Sequence, residues 1–271
     1  MSINLMHAFM ETPKEPDFVL PGLVAGTVGL LTSPGGSGKS MLITEAALCV
    51  ASAAANESLL RLPIDRHGPV VILNAEDPVD MIHARLHQMG KFLDTDTRHS
   101  LVEKTVIEAL YGKGRNILDQ KWQKELLDLL IRNNARLCVF DTLSRCHTAD
   151  ENSNSEMSKV MSILESIARE SGTAIVLVHH TSKSMAALGR TDEQQSARGA
   201  SLLVDNARWQ SYMAVMTADE AKKQKIKAED REYHVRFGIS KQNYGKPFAA
   251  RWFKRHEGGV LLPVATVENF R

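Results

Sequence analysis

The chain has 271 residues, 43% hydrophobic and 24% charged, enough apolar material for one large core with elements beyond it. Its 33 Lys and Arg nearly cancel its 32 Asp and Glu, which excludes a broad basic face for nucleic acid or anionic membrane, so any contact with a polyanion must be local. No window approaches the roughly 20 unbroken apolar residues of a membrane helix.

The start, MSIN, reads as neither a signal peptide nor a basic transit sequence, so a cytoplasmic protein without a membrane partner is expected. Residues 1–25 read as a polar, frayed lead-in. The apolar run GTVGLLT over residues 26–32 predicts the first strand, SPGGSGKS a turn from Ser33 to Ser40, and MLITEAALCVASAAA the helix after it. A second strand at residues 70–73 ends in NAEDP, and a helix through residues 81–90 should close on Gly90 as its C-cap. Trp122, Leu126, Leu129 and Leu130 form one helical stripe; Met157, Val160, Met161, Leu164 and Ile167 form another, both read as core faces. Residues 137–141 (LCVFD) and 174–180 (AIVLVHH) are continuous apolar runs suited to central parallel strands.

After Trp209 a lysine-rich helical stretch spans residues 218–229, with Lys222, Lys223, Lys225 and Lys227 most simply its solvated face and alternatively a DNA contact. Strands near 234–241, 248–254 and 260–264 then extend the same sheet. Cys49, Cys138 and Cys146 lack CxxC spacing and read as reduced, structural thiols. Strands alternating with helices make an α/β fold, a mainly parallel central sheet flanked by helices with a C-terminal β-rich extension.

In open α/β sheets ligands bind outside the carboxyl ends of the strands, where Ser33 to Ser40, Glu76, Asp141 and His180 should converge. SPGGSGKS departs from G-x-x-x-x-G-K-[ST] only where Ser33 replaces the first glycine. Gly35, Gly36 and Gly38 still let the backbone around Ser37 turn its N–H groups toward phosphate oxygens. Lys39 would sit against the β- and γ-phosphates, Ser40 would ligate magnesium, and the helix would present its positive end. ATP and Mg2+ are therefore the expected ligands. Asp141 reads as the second magnesium-side carboxylate or as a strand-end turn residue. Glu76, placed on a strand beside the loop-bearing one, either orients the water that attacks the γ-phosphate or caps the helix near Pro78.

His179 and His180 point to opposite faces, which argues against one shared metal ion. One of them reads as a γ-phosphate sensor relaying into the next loop, or as a packed ring. That loop, residues 181–198, is long and polar; Lys183, Arg190 and Arg198 suit tracking of a single-stranded DNA backbone, without aromatics for base stacking. A second candidate loop covers residues 144–152, with an acidic end.

The series SPGGSGKS, NAEDP, LCVFDTLSR, VLVHH, QQSARGASLLVDNARWQ and FGISKQNYGKPFAARWFKRHEGGVL, with the lead-in FMETPKEPDFVLPGLVAGTVG, resembles the plasmid-encoded RepA-type hexameric replicative helicases, RecA-fold relatives of the bacterial DnaB helicase. The likeness spans nearly the whole chain. It implies a RecA-like P-loop domain over residues 26–271 and an arm over residues 1–25 that packs on a neighbouring subunit. It also implies roles: Lys39 and Ser40 as the nucleotide-binding pair, Glu76 as catalytic carboxylate, Asp141 on the magnesium side and His180 as γ-phosphate sensor. Arg208, in VDNARWQ, matches the arginine finger inserted into the neighbouring site. In DnaB-type relatives the segment resembling residues 240–245 (SKQNYG) carries a lysine and an arginine; here Asn243 takes the arginine position and Lys241 remains.

The resemblance further implies a homo-hexameric ring that translocates on single-stranded DNA and unwinds duplex, with plasmid replication proteins as partners. The extra N-terminal domain of DnaB-type helicases is not expected. Two other readings stand beside it: a RecA-fold ATPase that regulates or remodels DNA without unwinding, and a nucleotide-gated DNA-binding module. Glu76 together with Arg208 favours turnover over a switch.

Overall fold

Apolar runs too continuous to be amphipathic become strands covered on both faces. In the computed structural model, which describes residues 3–52, 58–180, 203 and 206–264, the chain opens with α1 (Leu5–Met10) and a hairpin of β1 (Phe18–Leu20) and β2 (Leu23–Val24). There follow β3 (Val28–Ser33), α2 (Lys39–Ala51), β4 (Val70–Asn74), α3 (Val79–Gly90), α4 (Thr95–Lys104), β5 (Thr105–Ala109) and α5 (Gln120–Arg132). Then come β6 (Leu137–Asp141), α6 (Asn154–Ser171), β7 (Ala174–His180), β8 (Trp209–Val215), α7 (Ala218–Gln224), β9 (His234–Gln242), β10 (Arg251–Arg255) and β11 (Leu261–Pro263).

The main sheet has nine strands in the order β11-β10-β9-β8-β3-β7-β6-β4-β5. It is parallel from β8 to β5; β9, β10 and β11 extend it, as the sequence predicts, and do so antiparallel. Neighbouring strand residues face opposite sides. Leu31, Ile72, Val139 and Val176 pack with α2 in one core, whereas Leu30, Val71, Cys138 and Ile175 pack with α5 and α6 in the other. The stripes form core faces as read, except that Leu129 is only partly buried: Trp122, Leu126 and Leu130 are buried on α5, and Met157, Val160, Met161, Leu164 and Ile167 on α6. The helix α2 is buried nearly all round, as a helix between a sheet and an extension must be. All three cysteines are buried and free. Among the described residues no helix is long and apolar enough to cross a membrane.

Several expectations shift. The helix α3 runs through Gly90 and ends on Lys91 at a helical φ of −65°. Gly90 is therefore not a left-handed cap; successive turns to Leu93 lead directly into Asp94, which caps α4. The stretch 218–229 breaks after α7, where Lys225 takes φ 57°, and resumes as a short 3-10 turn, Ala228–Tyr233. The lead-in is not polar throughout, because α1 exposes Leu5, Met6, Phe9 and Met10. The strand β4 is not beside β3, since β7 and β6 lie between them.

Candidate nucleotide site

The loop between β3 and α2 needs backbone freedom at two points. Gly36 (φ 73°) and Gly38 (φ 91°) occupy the left-handed region, which glycine adopts at little cost. A Cβ on Gly36 would meet nothing within 4 Å, so the requirement there is conformational and the space above the loop is open. Ser33, which departs from the motif, is buried, and its hydroxyl hydrogen-bonds that of Ser37. Ser37 Oγ also donates to the Pro34 carbonyl at 2.7 Å. The substitution thus braces the loop from below. Gly35 lies beside His180, whose Nδ1 is 4.0 Å from a Cβ added there.

Sheet register assembles the acidic side. Asn74 on β4 pairs with Asp141 on β6, and Asn74 Nδ2 donates to Asp141 Oδ2 at 3.5 Å. Ser40 Oγ donates to Asp141 Oδ1 at 3.2 Å. Burial pushes the Asp141 carboxyl up to about 6, against the opposing effects of Ser40 and Lys39. Glu76 lies past the end of β4, in a turn held by the Asp77 N–H on Asn74 Oδ1 at 3.0 Å. Its Oε2 is 3.7 Å from Lys39 Nζ, and its Oε1 is 4.0 Å from His180 Nε2. The cap of α3 is Pro78, with no side-chain cap bond, so Glu76 faces the loop instead of capping that helix. The fold of the chain after β4, not strand adjacency, brings it there.

A cleft of about 410 Å³ is lined by Gly36, Lys39, Ser40, Glu76, Arg85 and Arg255, among others. Sequence reading missed both arginines. Arg85 Nη2 donates to Asp77 Oδ2 at 2.6 Å, and Arg255 donates to the Ser37 carbonyl. An i,i+8 pair and a contact across more than two hundred residues carry no local signal. Ser40 and Asp141, joined by the bond between their oxygens, present oxygen donors of the kind that fit a hard divalent cation such as Mg2+. Among the described residues no group of three or more His, Cys, Asp or Glu could hold a metal by themselves. His179 is buried and His180 half-buried, consistent with opposite faces.

Arg208 and Lys241 are not in this cleft. Trp209 pairs with Gly29 and with Gln242. Lys241 pairs with Gln210 beside Leu30, and Arg208 precedes Trp209, so along the sheet Lys241 lies ~10 Å and Arg208 ~16 Å from Ser33, at about 3.3 Å per residue. They share a cleft of about 340 Å³ with Glu165, Asn206 and Asn243 at the amino edge. Lys183, Arg190, Arg198 and the loop 181–198 lie outside the described residues. In the second candidate loop, a 3-10 turn, Leu143–Arg145, leaves Arg145 exposed.

A family model described as an AAA domain matches residues 3–186. Among solved structures, an ATPase domain is similar at a TM-score of 0.60 and 14% identity, over 88% of this chain and 85% of that chain. The fold is RecA-like: a P-loop core on a mostly parallel sheet with flanking helices and added C-terminal strands.

Proposed function

Because the chain belongs to the AAA domain family, we propose that it is an ATP hydrolase whose turnover drives a ring of identical subunits along single-stranded DNA and unwinds duplex, in plasmid-type replication. The observation that carries the reading is the convergence of Lys39, Glu76 and His180 beside the Ser40–Asp141 pair.

In this reading, the loop N–H groups around Gly36 and Gly38 and the α2 terminus bind the phosphates. Lys39 exchanges its ion pair with Glu76 for the γ-phosphate, which leaves the Glu76 carboxylate to orient and deprotonate the attacking water. Ser40 and Asp141 would hold Mg2+, whose charge would neutralise the phosphate oxygens. His180 bridges the γ-phosphate side of the cleft to residues 181–198, where Lys183, Arg190 and Arg198 would track the DNA backbone.

The place of Arg208 and Lys241 supports the ring. A cation at the amino edge cannot reach its own loop, but in a head-to-tail ring that edge meets the next subunit's cleft. There Arg208 would stabilise developing phosphoryl charge, with Lys241 beside it. The apolar residues that α1 exposes form a face that a neighbouring subunit would cover. A ring also reconciles near-neutral charge with DNA binding, since a few cations per subunit are multiplied around the channel.

The test is complementation of ATPase activity. Arg208→Ala and Lys39→Ala should each lose activity alone, Arg208→Ala by about 10³-fold. Mixing and reassembling them should restore a measurable fraction, because Lys39→Ala subunits lend Arg208 to intact clefts. Absence of any recovery in oligomers shown to be mixed would remove the action in trans.

A further inference from the structure

The strand β10 ends at the same sheet edge as the phosphate loop, because β9 returns antiparallel along β8 and β10 reverses again, pairing Lys254 with His234. Arg255 is the next residue. Its Nη2 donates to the Ser37 carbonyl, and its Nη2 and Cζ lie 3.6 and 3.8 Å from where a Gly38 Cβ would sit. Two further contacts fix the extension against the same region. Glu45 Oε1 on α2 accepts from the Leu261 N–H at 2.9 Å, and Met41 packs 3.5 Å from the Cβ position of Gly259.

The peptide joining Ser37 to Gly38 is trans, so its carbonyl and its N–H point in opposite directions. A guanidinium held on the carbonyl therefore fixes which way the Gly38 N–H points. It also polarises that N–H as a donor, since hydrogen bonds through one peptide group strengthen one another. Gly38, lacking a Cβ, is the residue whose peptide would otherwise turn most freely. An N–H at this place in the loop is one that phosphate binding requires.

We propose that Arg255 is a positioning residue for nucleoside di- and triphosphates: by holding the Ser37 carbonyl it presets the Gly38 N–H toward the phosphate, and so ties the C-terminal extension to nucleotide occupancy. The proposal rests on the reading of this loop as an ATP site. The extension is then part of the site, and its distance in sequence is what hid it. Arginine suits the task because it remains charged when partly buried and holds its donors in a fixed plane.

Equilibrium binding of ADP and of ATP with magnesium to wild type, Arg255→Ala, Arg255→Lys and Lys39→Ala tests this, with the unfolding midpoint of each free protein measured alongside. Arg255→Ala should weaken ADP about tenfold, the scale of one hydrogen bond involving a charged group. It should raise KM for ATP while changing kcat much less. Arg255→Lys should recover part of the loss, and the free-protein midpoints, lowered by no more than a few degrees, should show each variant folded during the binding measurement. Wild-type ADP affinity in Arg255→Ala, with Lys39→Ala weakened, would overturn the role of Arg255 and leave the nucleotide site standing. Wild-type affinity in both variants would remove the nucleotide site itself. Should Arg255→Ala fail to fold, Arg255→Met keeps the apolar stem and is judged by the same criteria.

Discussion

Lys39 and Glu76, 3.7 Å apart, embody both the success and the limit of reading this site from sequence. Lys39, Ser40 and Asp141 were legible because one contiguous loop and one strand end carry them. Glu76 was legible by its place after an apolar run, but not for the reason of strand adjacency; two strands intervene, and a turn anchored on Asn74 folds it back. Arg85 and Arg255 were not legible as cleft residues, because each is held there by a partner that only the tertiary fold supplies. If Glu76 handles the attacking water, Glu76→Gln should cut ATP hydrolysis about 10²–10⁴-fold. The change is isosteric, so ATP binding should persist, and a filter-binding measurement beside a phosphate-release assay separates the two. Turnover within a few-fold of wild type would take the base role from Glu76.

At the scale of elements, the central strands announced themselves because burial on both faces demands unbroken apolar runs, whereas β8 did not. Its sequence, WQSYMAV, carries Gln210 and Ser211, both buried; Ser211 Oγ is satisfied by the Leu30 carbonyl at 3.1 Å, a partner that exists only once β8 lies against β3. Edge strand β5 and polar helix α4 were missed for the opposite reason: little of either is buried. The junction of α2 with β11 is where the fold should feel pH. Burial pushes the Glu45 carboxyl well above its ordinary value of 4.5. The folded protein therefore keeps this proton at pH values where the unfolded chain has released it. Stability from this group falls as pH rises above about 4.5 and levels off only past the folded pKa. Glu45→Gln keeps the acceptor for the Leu261 N–H and cannot titrate. Its unfolding midpoint should exceed that of wild type increasingly as pH rises above about 4.5, by about 2–4 °C for each kcal/mol involved. A difference constant across that range would show that Glu45 does not titrate on folding.

For the whole molecule, the decisive geometry is two polar clefts on opposite edges of one sheet. One holds Lys39, Ser40 and Glu76; the other holds Arg208 and Lys241. Under the proposed ring, neither edge alone would complete a catalytic set and a neighbouring subunit would join them, which would make assembly part of the chemistry. Sequence patterning named the residues on both edges, yet only the register of β8 against β3 shows that they face away from each other. The most direct measurement is strand separation of a labelled forked duplex by the purified protein with ATP and magnesium, beside a Lys39→Ala control. The account predicts unwinding by wild type and none by the variant. ATP hydrolysis by wild type without strand separation, on forks and with single strands present, would contradict the motor and leave an ATPase that acts on DNA, if at all, without unwinding it.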